Sequence, residues 1–272
     1  MMQKSVLLIN DMAGYGKVAL SAMIPLLSHM QCEIFNLPTA LVSNTLDYGK
    51  FDILETTDYM RNSLKVWDEL GFSFDAVSTG FLVSAEQTRL VADYCHQAKS
   101  KGALIFVDPI MGDDGHLYNG VGEETIKYMR SMCSVADVIV PNMTEATFLA
   151  DKYQEKASLT VAEARDLLFT LREIGSANVI VTSAKVDGKH ATLVLENNCQ
   201  EVQYLPYTEI PVRFPGTGDI FSSVLIGKYL KGRSLIESTQ AAMDTVVKLI
   251  SLNIDNKDKY KGIPLEQYLE DL

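Results

Sequence analysis

The sequence predicts an α/β fold with a mainly parallel central sheet. Short β-branched runs end in turn or polar residues and are apolar throughout rather than alternating, as strands covered on both faces are. Helical patterns separate these runs, which calls for right-handed crossovers and places ligands at the carboxyl ends of the strands. No linker, repeat or composition shift breaks the chain, so one domain over residues 1–272 is expected.

In chain order, residues 6–10 open as a strand, and a helical pattern covers 17–29. Strand 33–37, helix 57–70 and strand 76–79 follow. Ser84, Ala85 and Glu86 begin an amphipathic stretch that runs to Lys101 and stops at Gly102, a C-cap, with strand 103–108 directly behind it. Helix 122–133, strand 138–141, helices 144–153 and 160–174, and strand 178–182 continue the alternation. Segments 190–195 and 200–205, joined through Glu196, Asn197 and Asn198, read as a hairpin that ends the parallel part. Two apolar helices close the chain, 217–230 and 235–252, with Gly232 as the break.

Composition narrows the function. Lys and Arg number 24 against 35 Asp and Glu, a net charge of −11, and no basic block could track a phosphate backbone, so nucleic acid is not an expected partner. No apolar run reaches the eighteen or so residues that a spanning helix needs, so no membrane partner and a cytoplasmic location are expected. Cys32, Cys95, Cys133 and Cys199 are far apart, and none lies in metal-ligand spacing; they read as reduced, mostly buried thiols. None of the four histidines sits in a catalytic motif.

Four segments could carry chemistry. Gly14-Tyr15-Gly16-Lys17-Val18-Ala19 fits a dinucleotide pattern, but Asn10 to Ala13 stand between the strand and the first glycine, and the second strand offers Asn36 rather than an acid. A strand-to-helix loop facing some ligand is the better reading. Pro215-Gly216-Thr217-Gly218-Asp219 precedes an apolar helix. Its glycines admit a ligand close to the backbone, and the free N–H groups of the first turn form an anion hole. Asp219 could there accept a proton from an attacking alcohol, or merely cap its helix. Asn142 and Glu145 share one face of a first turn, suited to a hydrated Mg²⁺ with its phosphates or to a plain capping box. Asp108 ends a strand where it can face a metal, and Gly112-Asp113-Asp114-Gly115 behind it reads as a cover loop or solvated turn.

Together, the G-x-G-D anion hole, the upstream N-x-x-E and the α/β body resemble the ribokinase superfamily of small-molecule kinases over nearly the whole chain. Ser43-Asn44-Thr45-Leu46-Asp47-Tyr48-Gly49, Thr79-Gly80, Asp108-Pro109-Ile110-Met111-Gly112 and Gly216-Thr217-Gly218-Asp219 are similar to the pyridoxal kinase family. The resemblance implies a three-layer α/β/α ribokinase-like fold, a homodimer, and transfer of the γ-phosphate of ATP to the 5′-hydroxymethyl group of a B6 vitamer. It implies Asp219 as the catalytic base, with Gly216, Thr217 and Gly218 as anion hole. Asp108 and Glu145 would lie near Mg²⁺ and the ATP phosphates, with Asn142 and Thr182 near the nucleotide. Asn10, Asp11, Ser43, Thr45 and Asp47 would wall the vitamer pocket. The sequence departs from the family at Asp11-Met12, where Ser-His is usual, and at Leu46, where Thr is usual. Hydroxymethylpyrimidine kinase has a closely similar plan and is the alternative. A non-catalytic vitamin- or nucleotide-binding protein, or an NAD-dependent oxidoreductase built on Gly14 and Gly16, belongs to other classes.

Overall fold

The computed structural model describes residues 3–118, 121–175 and 178–271. The chain forms two compact units. The first comprises Met1–Val83, Lys101–Ala103 and Ile210–Leu272, and the second Ser84–Ser100 and Leu104–Glu209.

The first unit opens with β1 (Ser5–Ala13), whose Val6 to Ile9 stretch is fully buried. Helix α1 (Ala19–His29) and strand β2 (Glu33–Val42) follow, then β3 (Ile53–Glu55), α2 (Thr57–Glu69) and β4 (Ala76–Thr79). The strand order is β3-β2-β1-β4; β1 is parallel to β2 and β4, and β3 runs antiparallel on β2. Between Asn10 and Met12 the register of β1 on β2 slips, a bulge at the carboxyl end of the strand, where bulges commonly re-aim a side chain. The later part of the chain adds α7 (Thr217–Leu230) and α8 (Leu235–Leu252). Ala22 and Leu26 of α1 pack with Phe214, Ile220, Leu249, Ile263 and Leu265, so this core joins the two ends of the sequence. Fully burying side chains of this size contributes about 1.5–3 kcal/mol each.

The second unit contains α3 (Ala85–Ser100), β5 (Leu104–Val107), the short strands β6 (Gly112–Asp113) and β7 (His116–Leu117), α4 (Glu123–Val135), β8 (Val138–Ile139), α5 (Met143–Ala150), α6 (Val161–Glu173), β9 (Asn178–Val186), β10 (Lys189–Leu195) and β11 (Gln203–Pro206). Its order is β5-β8-β9-β10-β11, parallel from β5 to β9 and antiparallel from β9 to β11. The expected hairpin is the β10–β11 pair.

Two expectations change. Strand β1 runs on through Ala13, so residues 10–13 are strand rather than a spacer before Gly14. Strand β2 continues through Pro38 to Val42, and β3 pairs with that extension. Residues 112–117 form a small hairpin, β6 with β7, that carries the expected exposed turn at Asp114 on two short strands. Cys32, Cys95 and Cys133 are buried, Cys199 is exposed, and none of the four is in a disulfide. Among the described residues no helix is long and apolar enough to cross a membrane.

Candidate active site

In the first unit, Gly216 begins the site. It is the N-cap of α7 at φ 85°, and a Cβ there would lie 2.1 Å from the Lys17 carbonyl oxygen, so only glycine fits. No side chain caps α7, which leaves the first-turn N–H groups of Thr217 and Gly218 available to an anion.

Asp219 accepts its own first-turn N–H and also reaches beyond its helix. Its Oδ2 accepts the backbone N–H of Ala19, the first residue of α1, at 2.7 Å, and its Oδ1 accepts the Asn10 amide Nδ2 at 3.2 Å. Ala19 holds φ at 48°, an uncommon conformation for a residue with a side chain, and its N–H points at the carboxylate. Burial pushes the Asp219 carboxyl up to about 6, against the pull of these two donors and of its own N–H.

Asn10 is fully committed. Its Oδ1 accepts the N–H groups of Asp11 at 3.0 Å and Phe81 at 2.8 Å while its Nδ2 serves Asp219. A Cβ on Gly80 would stand 2.5 Å from that amide, which explains a glycine directly after β4. Asn10, expected in the vitamer wall, also positions Asp219. Asp11 follows at the bulge, half-buried, and burial together with the Asp219 charge pushes its carboxyl up to about 7. It neither caps α1, whose N-cap Val18 has no side-chain bond, nor pairs with Lys17, which reaches Glu266.

Ser43, Thr45 and Asp47 are spent on fixing their own loop. Ser43 Oγ donates to Asn44 Oδ1 at 2.7 Å and accepts the Asp52 N–H at 2.9 Å. Buried Thr45 donates to the Tyr260 carbonyl at 2.6 Å, and Asp47 accepts from Arg213 at 2.8 Å. A Cβ on Gly16 would reach within 2.3 Å of the Thr45 methyl, so the loop after β1 lies against this segment.

In the second unit, Asn142 is the N-cap of α5 and Glu145 its reciprocal partner, so the capping box forms. The pair does more than cap. Asn142 Nδ2 donates to the Gly112 carbonyl at 2.8 Å, and Glu145 accepts the N–H groups of Asn142 at 2.8 Å and Met111 at 3.1 Å. Glu145 is buried, at 3% exposure, and burial and then the Asp108 charge hold its carboxyl well above the usual range. Thr182 of β9 bridges Asn142, its N–H donating to the Pro141 carbonyl at 3.0 Å. Among the described residues no group of three or more His, Cys, Asp or Glu is arranged to hold a metal by itself. Asp108 with Glu145 is a pair of hard oxygen donors close enough for the charge of the first to oppose ionisation of the second, which fits Mg²⁺ shared with phosphate ligands.

Asn10, Asp11 and Asp219 thus come together in one unit, and Asp108, Asn142, Glu145 and Thr182 in the other. Sequence reading missed Ala19 and Met111, which act through backbone N–H groups that carry no residue signature.

Residues 15–263 match the sequence profile of the family described as phosphomethylpyrimidine kinase. A provisionally named pyridoxal kinase of Schizosaccharomyces pombe is 30% identical over 240 residues, 83% of this chain and 68% of that protein. A crystal structure from Bacteroides thetaiotaomicron VPI-5482, provisionally named phosphomethylpyrimidine kinase and crystallised with pyridoxal, is 35% identical with a TM-score of 0.90, covering 99% of this chain and 96% of that one. The pyridoxal kinase of Lactobacillus plantarum is 25% identical with a TM-score of 0.89, over 99% and 96%. The expected α/β fold with its mainly parallel sheet is the fold these structures share. The chain belongs to the phosphomethylpyrimidine kinase family, among the ribokinase-type small-molecule kinases that include the pyridoxal kinases.

Proposed function

We propose that this protein, acting as a single kinase domain over residues 1–272, transfers the γ-phosphoryl group of MgATP to the 5′-hydroxymethyl group of a B6 vitamer: pyridoxal, pyridoxine or pyridoxamine. The observation that carries this reading is Asp219, a carboxylate held by Ala19 and Asn10 beside the uncapped start of α7. The crystallisation of a relative with pyridoxal supports the acceptor.

In this mechanism the acceptor hydroxyl gives its proton to Asp219 as its oxygen attacks the γ-phosphorus. The bond to the β-phosphate oxygen breaks, and ADP leaves. A carboxyl at about 6 is ionised at neutral pH yet basic enough to take up that proton. The amides of Gly216, Thr217 and Gly218 stabilise the charge on the transferring group. Asp108 and Glu145 would hold Mg²⁺ with the ATP phosphates, near Asn142 and Thr182, and the ion when bound supplies charge neutralisation that a chain of net charge −11 does not. A cytoplasmic homodimer completes the proposal, with sedimentation velocity as the check on the dimer.

A second reading, hydroxymethylpyrimidine kinase, is favoured by the family description. One experiment separates them: ATP consumption by the purified protein with each vitamer and with 4-amino-5-hydroxymethyl-2-methylpyrimidine, with the phosphorus NMR spectrum of the product. A phosphate monoester from the vitamers at the higher kcat/KM supports the main reading, and turnover of the pyrimidine alone replaces it. No turnover with any acceptor returns the protein to the binding class.

A further inference from the structure

The carboxylate of Asp11 is the one member of the β1-end cluster to which the protein supplies only its own backbone. Asp219 has Ala19 and Asn10, and Asn10 has Phe81 and the Asp11 N–H. Lys17, a nearby cation in sequence, is taken by Glu266. Asp11 is half-buried on a bulge, beside a second carboxylate whose charge opposes its own ionisation, and the neighbours acting on it include no cation. A carboxylate in such a place is held ready for a donor that arrives from outside the chain.

We propose that Asp11 is a specificity-determining residue whose carboxylate accepts a hydrogen bond from an amine of the acceptor, so that this enzyme prefers amine-bearing hydroxymethyl heteroaromatics to pyridoxal. The inference rests on the kinase reading above and names the substrate class of that same site. Asn10 cannot play this part, because its amide is used on both ends. Asp219 must keep its reach for the reacting hydroxyl. Asp11, next to Asn10 at the bulge, is left to read the rest of the ring. Pyridoxal, which carries an aldehyde where pyridoxamine carries an aminomethyl group, offers one donor fewer.

The experiment measures kcat/KM for pyridoxal, pyridoxine, pyridoxamine and 4-amino-5-hydroxymethyl-2-methylpyrimidine with the parent, Asp11→Asn and Asp11→Ser. Loss of a charge-assisted hydrogen bond should lower kcat/KM for the two amine acceptors by roughly 10- to 100-fold more than for pyridoxal, chiefly through KM. Calorimetric titration of pyridoxamine and pyridoxal into the same three proteins reads the preference without turnover. If no acceptor is phosphorylated, the kinase reading fails separately, and these affinities still decide on Asp11. An amine preference that vanishes in both variants supports the proposal. Identical ranking of the acceptors by parent and variants, in rate or in affinity, overturns it.

Discussion

Helices α5 and α6 start alike and end up electrically opposite. Each opens on a capping box, Asn142 with Glu145 and Thr160 with Glu163, and α8 repeats it with Ser234 and Glu237. Glu163 is held below the usual carboxylate range by Lys156 and by the Thr160 N–H, and Glu237 by the N–H and hydroxyl of Ser234. Glu145, with the same local bonds, is held above it, because it is buried beside Asp108. Asp219 at the start of α7 belongs with Glu145: an acid in a first turn, raised by burial. A helix start therefore offers an acid to the backbone, and tertiary surroundings decide whether that acid is a fastener or a reagent.

The largest expected difference is in turnover. Asp219→Asn should lower kcat by roughly 10²–10⁴, the usual worth of a general base, with ATP affinity kept. Glu237→Gln should leave kcat within a factor of two. Comparable turnover in the two variants would erase the distinction between fastener and reagent. Next comes the metal: Glu145→Gln should move the Mg²⁺ titration of activity to about tenfold higher concentration, while Glu163→Gln leaves it in place. Coincident titrations would make Glu145 a cap like the others.

The third difference appears in stability against pH. Asp11, raised to about 7, Asp219, raised to about 6, and Glu145 bind their protons more tightly folded than unfolded. Their contribution is intact below the ordinary carboxyl range; that of Asp11 and Asp219 is lost as pH rises from about 4 to about 7. Glu163 and Glu237 act the other way, stabilising above that range and failing in acid. Urea unfolding at pH 5 and pH 8 should show a fall on the order of a few kcal/mol, shrinking in Asp11→Asn by about 1–3 kcal/mol. An equal fall in parent and variant sinks the assignment. The smallest effect compares caps. Ser234→Ala should cost about 1 kcal/mol and Asn142→Ala about 2–3 kcal/mol, since Asn142 also holds the Gly112 carbonyl. Equal midpoint shifts in urea would reduce the α5 start to an ordinary cap.

Much of the frame was legible in the sequence. Helices α7 and α8 and strand β4 fall on the expected residues because their apolar runs are bounded by local signals, Gly216, Gly232 and the turn at Gly80. Strand β2 runs past the expected end at Leu37, because pairing with β1 and β3 carries it through Pro38 to Val42, and that pairing leaves no local signal. The capping box at Asn142 was readable; the burial and the Asp108 charge that set Glu145 apart were not, since both arise from tertiary packing. For Asp219, the anion-hole motif was visible, while its two holders lie far away in sequence and one of them, Ala19, acts only through a backbone conformation.

That distance has a consequence in time. Asn10 and Asp219 are 209 residues apart. A ribosome adding ~5–20 residues per second delivers the second roughly 10–40 s after the first. Through that interval Ala22 and Leu26 of α1 lack the α7 and α8 residues that cover them, and they are open to chaperones or to other nascent chains. Asp219, the proposed base, reaches its holders only when the late helices dock, so placing that carboxylate and closing the core are one event.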